Sequence, residues 1–580
     1  MDNTTIKRNS PLILLMLFLM CFPLDSISAS IVIGQACRGT VSRQASDTYE
    51  KMIATPNVIW GTISNVDVIS LKQTDTLLFM GDNEQTYFFK ENRYLESDYS
   101  YTQYVSSNNE EYVNLSILEN DIQGNIRTNA GRYYIFSASE DEIVIVKYEP
   151  DGIMEEPEDI TVSMNDEISP ADSIGGKGVV PVTTPVIRVL FLYTSSALSM
   201  FSSQTALRNT VYSFMEEAKT SFANSNITAH LELAYLGPTN YNESAHTWSE
   251  VLSHFYGTND GYMDEVHTLR NKYTADICVL MVNKDTYCGE AATINANTDN
   301  AFCMMYPSPT YCNYKYTAIH EIGHLVGCRH NRTHDGSTSP YLYGHGYFHY
   351  EANNYNASWR TVMSYDNSCD NGCQRILYWS NPNVTYNGYA TGTTTYENNA
   401  RVWNERAGTV GTFKTNNTSY VLSSINNNTS SLYESYAATY SIITTGGYEI
   451  QSGQTVDFAA PTEIRLSSTT HIKSGANFRA SIRNNADDAN YPQFIRDRHL
   501  ETDLNIVNHH FLVSPNPVND ILTITTNEEL AQISIYNLHG QCVLQTRELN
   551  INVAHLPAGV YMLQAVTIEG QSLQSKFIKR

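Results

Sequence analysis

Three histidines and a glutamate fall within one short stretch, HEIGHLVGCRH at 320–330. His320 and His324 are four positions apart, so on a helix both imidazoles leave the same face, one turn above the other. Imidazole nitrogens placed this way can ligate one Zn²⁺ at roughly 2.0–2.1 Å. Glu321, next to His320, can reach a water at that metal without becoming a ligand, which is the place for a general base. Gly327 can take the left-handed conformation that ends a helix, turning the chain so that His330 returns to the metal. Three neutral histidines leave the fourth tetrahedral position open for water, the mark of a catalytic rather than a structural zinc site.

A helix that carries these residues needs a buried opposite face and a cap. Ile319, Ile322 and Val326 supply the face, and Thr317 is the expected N-cap. HExxH alone recurs by chance, whereas HExxHxxGxxH adds a glycine and a histidine at fixed positions and is far more specific. Further along, TVMSY puts Met363 where a methionine-bearing turn would lie beneath the metal. Around the helix, VIRVLFLYT reads as a buried strand, and Leu207, Val211, Phe214, Ala218 and Phe222 recur at helical spacing. AHLELAYLG alternates as a strand and ADICVLMV is a second apolar one. Strands alternating with long helices predict an α/β layer over 186–415.

The flanks have a different texture. Residues 31 to about 180 contain alternating runs such as YYIFSAS and DEIVIVKYE, which predict a mostly β domain. EPDGIMEEPEDI and GGKGVVPVTTP then have linker composition, with Lys177 exposed to proteolysis. Beyond 415, NNTSYVLSSINNNTSS is a polar linker. YEIQSGQTVDFAA and THIKSGANFRASI follow as a weak repeat, a small β module of short strands. From FLVSPNPVNDILTITT to KFIKR the chain returns to short strands joined by turns.

At 580 residues the chain is too long for one core. Only 17% of it is charged, and the net charge is -24, which repels nucleic-acid phosphates and anionic membranes. No nucleic-acid partner is expected. The acidity also suits an extracellular, calcium-binding protein, but no Ca²⁺ site is readable. Lys7 and Arg8 precede PLILLMLFLMCFPL and the small residues DSISAS, the order of a secretory signal peptide cut near Ala29. Its apolar core is too short for a membrane span, and no other stretch is long enough. Met20 argues against a lipid on Cys21. Of ten cysteines, Cys278, Cys288, Cys303, Cys312, Cys328, Cys369 and Cys373 crowd one region, which predicts disulfides rather than a thiolate metal site. Their connectivity is open, and without Cys21 the odd count leaves at least one thiol free.

The zinc helix, TVMSY, GYMDEVHTLRNKYTADICVLMV, CGEAA and WSNPNVTYNG together resemble the metzincins, and within them the bacterial reprolysin-like endopeptidases of the peptidyl-Asp metalloendopeptidase group. The resemblance covers 186–415. It implies an α/β (α+β) domain with a mixed sheet and a zinc helix, acting on protein or peptide substrates. It makes His320, His324 and His330 the Zn²⁺ ligands, Glu321 the catalytic base and Met363 the methionine of the Met-turn. Tyr365 matches the position where astacin-like and serralysin-like members place a switching tyrosine ligand, a role that reprolysins lack. Reprolysins usually carry Asp after the third histidine. Here it is Asn331, which puts that hydrogen bond in doubt. Substrate would lie extended along the 288–294 segment, with 364–381 walling the pocket beyond the cut. An Asp preference there needs a cation; Arg375 is available, although a solvated loop residue is the plainer expectation for it. His345 and His349 in YGHGYFHY suggest either a second metal site or, more simply, structural residues. His334 and Asp335 are expected at the surface.

SPNPVNDILTI, ISIYNLHGQCVLQ, LPAGVYMLQA and KFIKR resemble the type A sorting domain of type IX secretion. That implies a Gram-negative host, engagement of its secretion machinery, and release or surface attachment. The expected organisation is a signal peptide 1–29, a β-rich propeptide 30–185 and a catalytic domain 186–415. A linker 416–435, a small β module 436–485, a linker 486–510 and a β-sandwich-like sorting domain 511–580 follow. Cys37 could block zinc as a cysteine switch or pair with a catalytic-domain cysteine. The rival to an endopeptidase is a surface adhesin or host-protein binder with a decayed metzincin domain; an intact Glu321 and three histidines count against it.

Overall fold

The computed structural model describes residues 31–37, 40–55, 58–96, 99–107, 111–148, 184–308, 312, 316–351, 357–365, 368–369, 373–482, 511–514, 518–526, 530–537, 542–567 and 572–580. The expected signal peptide, Lys177 with most of its linker, and the 486–510 linker lie outside them. The chain divides into two compact units, Met1–Asp497 and Arg498–Arg580.

Residues 31–148 build one nine-stranded sheet, an antiparallel meander from Thr76–Gly81 to Glu142–Tyr148. Val58–Asn65 closes one edge and Ile31–Ile33 the other. Two-residue turns at 82–83, 119–120 and 129–130 reverse the chain, with Asn83 and Glu119 left-handed. Phe79, Phe88, Leu115, Ile126, Tyr133 and Ile145 fill its core.

The next domain begins with β1 (Val186–Tyr193), α1 (Gln204–Asn224), β2 (His230–Pro238), α2 (Trp248–Tyr256), α3 (Glu265–Lys272) and β3 (Ile277–Met281). It continues with β4 (Gly289–Ala291), β5 (Phe302–Met305), the histidine-bearing helix α4 (Thr317–Val326) and α5 (Asn399–Val410). β2, β1, β3 and β5 lie parallel in that spatial order, and β4 runs antiparallel to β5 as the edge strand. The sheet is therefore mixed. Leu207, Val211, Phe214, Ala218 and Phe222 of α1 bury one stripe against it, as their spacing predicts.

The segment after 415 corrects the sequence expectation. β6 (Asn417–Leu422) and the start of β7 (Tyr433–Thr444) occupy the supposed linker 416–435. β7 pairs antiparallel with β2, and then β8 (Thr455–Ala460) and β10 (Asn477–Ile482) add in parallel. The module thus extends the sheet of the preceding domain to ten strands instead of standing apart. Tyr433, Thr455 and Asn477 stand side by side, so the weak repeat is a parallel coil with a 22-residue rung. β9 (Glu463–Arg465) and β6 stack on β7 in the same way. The Ser-Gly pairs make the corners: Gly453 and Gly475 sit at φ +80° and +79°, and the Gly453 N–H bonds Gly475 O at 2.8 Å.

Polar burial welds the coil on. The Arg188 side chain of β1 pairs with Glu232 and donates to Ser435 O of β7 at 2.7 Å, all three residues being buried. Leu190, Tyr235 and Leu280 share one core with Tyr436, Ile442, Val456 and Phe458.

The N-terminal sheet packs on the outer side of α1. Asn209 donates to Ser116 O and Asp121 O at 3.1 and 3.0 Å, Gln123 donates to Ala206 O at 2.6 Å, and Tyr99 meets Tyr212 edge-on. The second unit holds sheets of three and four strands around Leu522, Ile533, Ile535, Leu563 and Phe577. Among the described residues no helix is long and apolar enough to cross a membrane.

Cysteine crowding forecasts more bridges than form. Cys288–Cys312 and Cys369–Cys373 are disulfides, while Cys278, Cys303 and Cys328 are buried free thiols. Burial pushes the thiol pKa of all three up, that of Cys278 to about 12, so they stay protonated and behave as small apolar side chains.

Candidate metal centre

α4 is cut to length by its ends. Tyr316 precedes it in the left-handed conformation and makes no side-chain cap; Thr317 is the first helical residue, not the N-cap, and its hydroxyl bonds Cys312 O at 2.8 Å. At the other end Gly327 sits at φ 121°, and the Cys328 N–H returns to Gly323 O at 2.9 Å. Asn295 and Ala296, just past the edge strand, donate to the carbonyls of His324 and Leu325 in the last turn, the first of which also accepts the Gly327 N–H. The chain then doubles back and brings His330 to the helix face.

The three imidazoles are buried and converge. His320 Nδ1 donates to Val362 O at 2.7 Å and His324 Nδ1 to Cys328 O at 2.9 Å, which turns each Nε2 lone pair inward. His330 Nε2 lies 3.0 Å from His324 Nε2 and 3.3 Å from His320 Nε2. Two ligands at the usual Zn–N length in a tetrahedron stand about 3.3 Å apart. The spacing and the all-imidazole donor set therefore fit zinc. Among the described residues only this trio gathers enough donors to hold a metal. Cys37 is not part of it: the thiol is unpaired, half-buried in the N-terminal sheet, and its pKa is raised by desolvation and by Glu142.

Two glycines that sequence reasoning passed over make the centre fit. A β-carbon at Gly323 would come within 2.9 Å of Met363 Sδ and 2.8 Å of the Trp379 ring, so its absence lets Met363 lie beneath the helix. A β-carbon at Gly289 would overlap the Glu321 carboxylate, with Cδ only 2.6 Å away. Glu321 itself is 1% exposed and points at the edge strand β4. Both glycines carry the signal of HExGH and CGEAA, but only contact geometry reveals their purpose.

Asn331 Oδ1 accepts the backbone N–H of Tyr365 at 3.1 Å, which ties the residue after the third histidine to the loop that follows Met363. The Tyr365 ring stacks on His330 with centroids 4.1 Å apart. Arg375 is not solvated. It is buried and donates to Ser364 O at 3.0 Å, a carbonyl that Arg360 also binds. Beside it, Tyr112, Arg127 and Tyr148 of the N-terminal sheet and Tyr316, Gln374 and Arg375 line a cavity of about 20 Å³. The Tyr112 and Tyr316 hydroxyls meet across the domain boundary at 3.3 Å.

His345 and His349 form no second metal site among the described residues. His349 lies between Trp359 and Tyr389, with centroids 5.4 and 4.0 Å away. His345 is fully buried, and its ring nitrogens face two backbone carbonyls. His334 sits edge-on to Tyr365, and Asp335 pairs with Arg329 at 2.6 Å.

Comparison with known proteins agrees with this geometry. Residues 183–380 match the model of metallo-peptidase family M12, and residues 512–580 match the secretion system C-terminal sorting domain, which marks a secreted or cell-surface protein. A peptidyl-Asp metalloendopeptidase of Stenotrophomonas maltophilia R551-3 is 35% identical over 301 residues, 51% of this chain and 69% of its own length. That of strain K279a is 38% identical over 255 residues (44% and 58%), and that of Xanthomonas campestris pv. campestris is 41% identical over 216 (37% and 49%). The chain thus spans between about half and two thirds of the length of these relatives. With the three-histidine centre and this similarity together, the chain belongs to metallo-peptidase family M12.

Proposed function

We propose that the protein is a secreted zinc-dependent endopeptidase that hydrolyses internal peptide bonds of proteins. The observation that carries this reading is the convergence of three imidazole Nε2 atoms beside a buried carboxylate that faces an edge strand. Zinc held by His320, His324 and His330 would supply a Lewis acid for the scissile carbonyl and lower the pKa of the attacking water. Glu321 takes the proton of that water and delivers it to the leaving amine. Among the described residues β4 is the edge strand of the sheet, so an extended substrate adds to the sheet there and is oriented by main-chain bonds. Met363 supports the floor of the site, and Tyr365 backs His330.

The relatives are named for cleavage at Asp. Arg375, with Arg360 beside it, is the cationic feature of the wall after the Met-turn, and we assign an acidic preference beyond the cut to it. The N-terminal domain acts as a propeptide that covers α1 and the Tyr316–Arg375 corner. Its removal should leave a mature N-terminus between Ile174 and Pro185. The type IX machinery recognises the C-terminal domain.

Glu321→Ala should abolish cleavage of a protein substrate while one zinc per chain stays bound. Retained cleavage overturns the mechanism. Binding of a host protein that survives both chelation and Glu321→Ala would favour the adhesin instead. A mature N-terminus before residue 60 on fully active enzyme would make the N-terminal domain a permanent one.

A further inference from the structure

The GHG triplet at 344–346 is absorbed by neither the ligand set nor the substrate wall, yet each of its residues touches the machinery. Gly344 O accepts the Arg329 N–H at 2.7 Å, and the Gly346 N–H returns to Arg329 O at 2.9 Å. A β-carbon at Gly346 would come within 2.6 Å of the Met363 carbonyl carbon, so the triplet is wedged between the third histidine and the Met-turn. Between the two glycines, His345 Nδ1 lies 2.7 Å from His330 O, and its Nε2 lies 2.8 Å from Ser337 O. A carbonyl oxygen only accepts and a neutral imidazole carries a single N–H, so the ring donates one of these two bonds, and the shorter contact, to His330 O, is the one assigned to it. The backbone that carries the ring is itself held: Ser380 Oγ donates to His345 O at 2.7 Å, and Asn399 of α5 donates to Gly344 O at 2.7 Å.

His330 differs from the other two ligands in what fixes it. His320 and His324 share a rigid helix, whereas His330 stands on a loop beyond Gly327. A loop residue is aimed only as well as its backbone is held, and a displaced third ligand weakens a tetrahedral site. We propose that His345 is a positioning residue for the metal centre, fixing the third ligand His330 through the bond from its Nδ1 to the His330 carbonyl. The proposal rests on the metal-centre reading but not on peptide hydrolysis. If Glu321→Ala retained cleavage, the catalytic reading would fall and the zinc measurement below would still decide this one.

Two substitutions separate the bonds of the ring. Asn carries its amide nitrogen near the place of Nδ1, and Gln near the place of Nε2. His345→Asn should keep the contact to His330 and lose that to Ser337; His345→Gln should do the reverse. On the full chain, zinc affinity is measured by competition with a chromophoric chelator, and the cobalt-substituted protein is examined for its visible ligand-field bands. His345→Gln should weaken zinc binding by about 10–100-fold and alter the cobalt bands, while His345→Asn stays within about threefold of the parent. Equal zinc affinity in the two variants, or a Gln variant that binds like the parent, overturns the proposal. If neither variant folds, Ser380→Ala decides. It removes the bond that holds the His345 backbone, and with it the aim of the ring, and should weaken zinc several-fold; an unchanged affinity would overturn the assignment.

Discussion

Gly289 stands against Glu321 with no room for a side chain between them: an added β-carbon would lie 2.6 Å from the carboxylate carbon. The edge strand proposed to receive substrate and the carboxylate proposed as its base are therefore one mechanical unit. Gly289→Ala should lower kcat by about 100-fold, the scale of an ångström's misplacement of a catalytic group. Zinc should stay bound, because no ligand is touched. Normal kcat in a zinc-replete Ala variant would mean that Glu321 works from another position.

The Cys288–Cys312 bridge joins the start of β4 to the approach of α4, closing a loop with a sequence separation of 24. Loop-closure entropy makes such a bridge worth about 3 kcal/mol. Reduction, or Cys288→Ser with Cys312→Ser, should lower the unfolding midpoint and raise KM more than it alters zinc content. Cys37→Ser should change neither activity nor latency, since that thiol lies in the N-terminal sheet, outside the histidine trio. Early activity of the full-length Cys37→Ser chain would restore the cysteine switch.

Glu217 of α1 is 4% exposed, and burial pushes its pKa up to about 8. It is electrostatically coupled to Tyr101 of the N-terminal sheet and to Tyr316, while Glu216 and Lys219 lie on its own helix. The folded chain holds this proton and the unfolded chain releases it near pH 4.5. Stability from this group is therefore complete below pH 4.5 and lost as pH rises to about 8, by at most about 1.4 kcal/mol per pH unit. Thermal unfolding from pH 4.5 to 9 should show that slope in the parent and a flatter one in Glu217→Gln. Parallel slopes would place the proton elsewhere.

Because β7 pairs with β2 and shares its core, a chain ending at residue 415 should not fold. It loses Tyr436, Ile442 and Phe458 from one apolar cluster, and Ser435 from the buried Arg188–Glu232 pair. Soluble, zinc-binding protein from such a truncation would show the coil to be dispensable.

The centre was legible because its chemistry is local: four residues at fixed spacing, the turn at Gly327, and Met363 in a recognisable setting. The coil was not. β7 pairs with β2 through backbone bonds between Tyr235 and Glu434, nearly two hundred residues apart, and such bonds leave no trace in side-chain type. The Asn- and Ser-rich run that resembles a linker supplies turns instead: Asn428 Oδ1 accepts from the Ser430 N–H, and Asn427 Oδ1 from the Glu449 N–H one rung on. Arg375 defied expectation for a similar reason. Its charge predicts exposure, while the carbonyl of Ser364 that holds it lies eleven residues away in a loop the sequence cannot shape. Thr317 offered a cap by residue type, but Tyr316 had already turned the backbone.

The free thiols set a race during synthesis and export. Cys278 and Cys303 stand on neighbouring strands but enter the cores on opposite faces of the sheet, so both thiols are sealed only as the sheet closes and each core packs over its face. In a compartment oxidising enough to join Cys288 to Cys312, each is open to attack until that moment and sealed afterwards. A chain that folds promptly keeps three inert thiols for life. One that stalls acquires wrong bridges that the finished core has no space to hold. Export of this chain thus selects for speed of folding as well as for final stability.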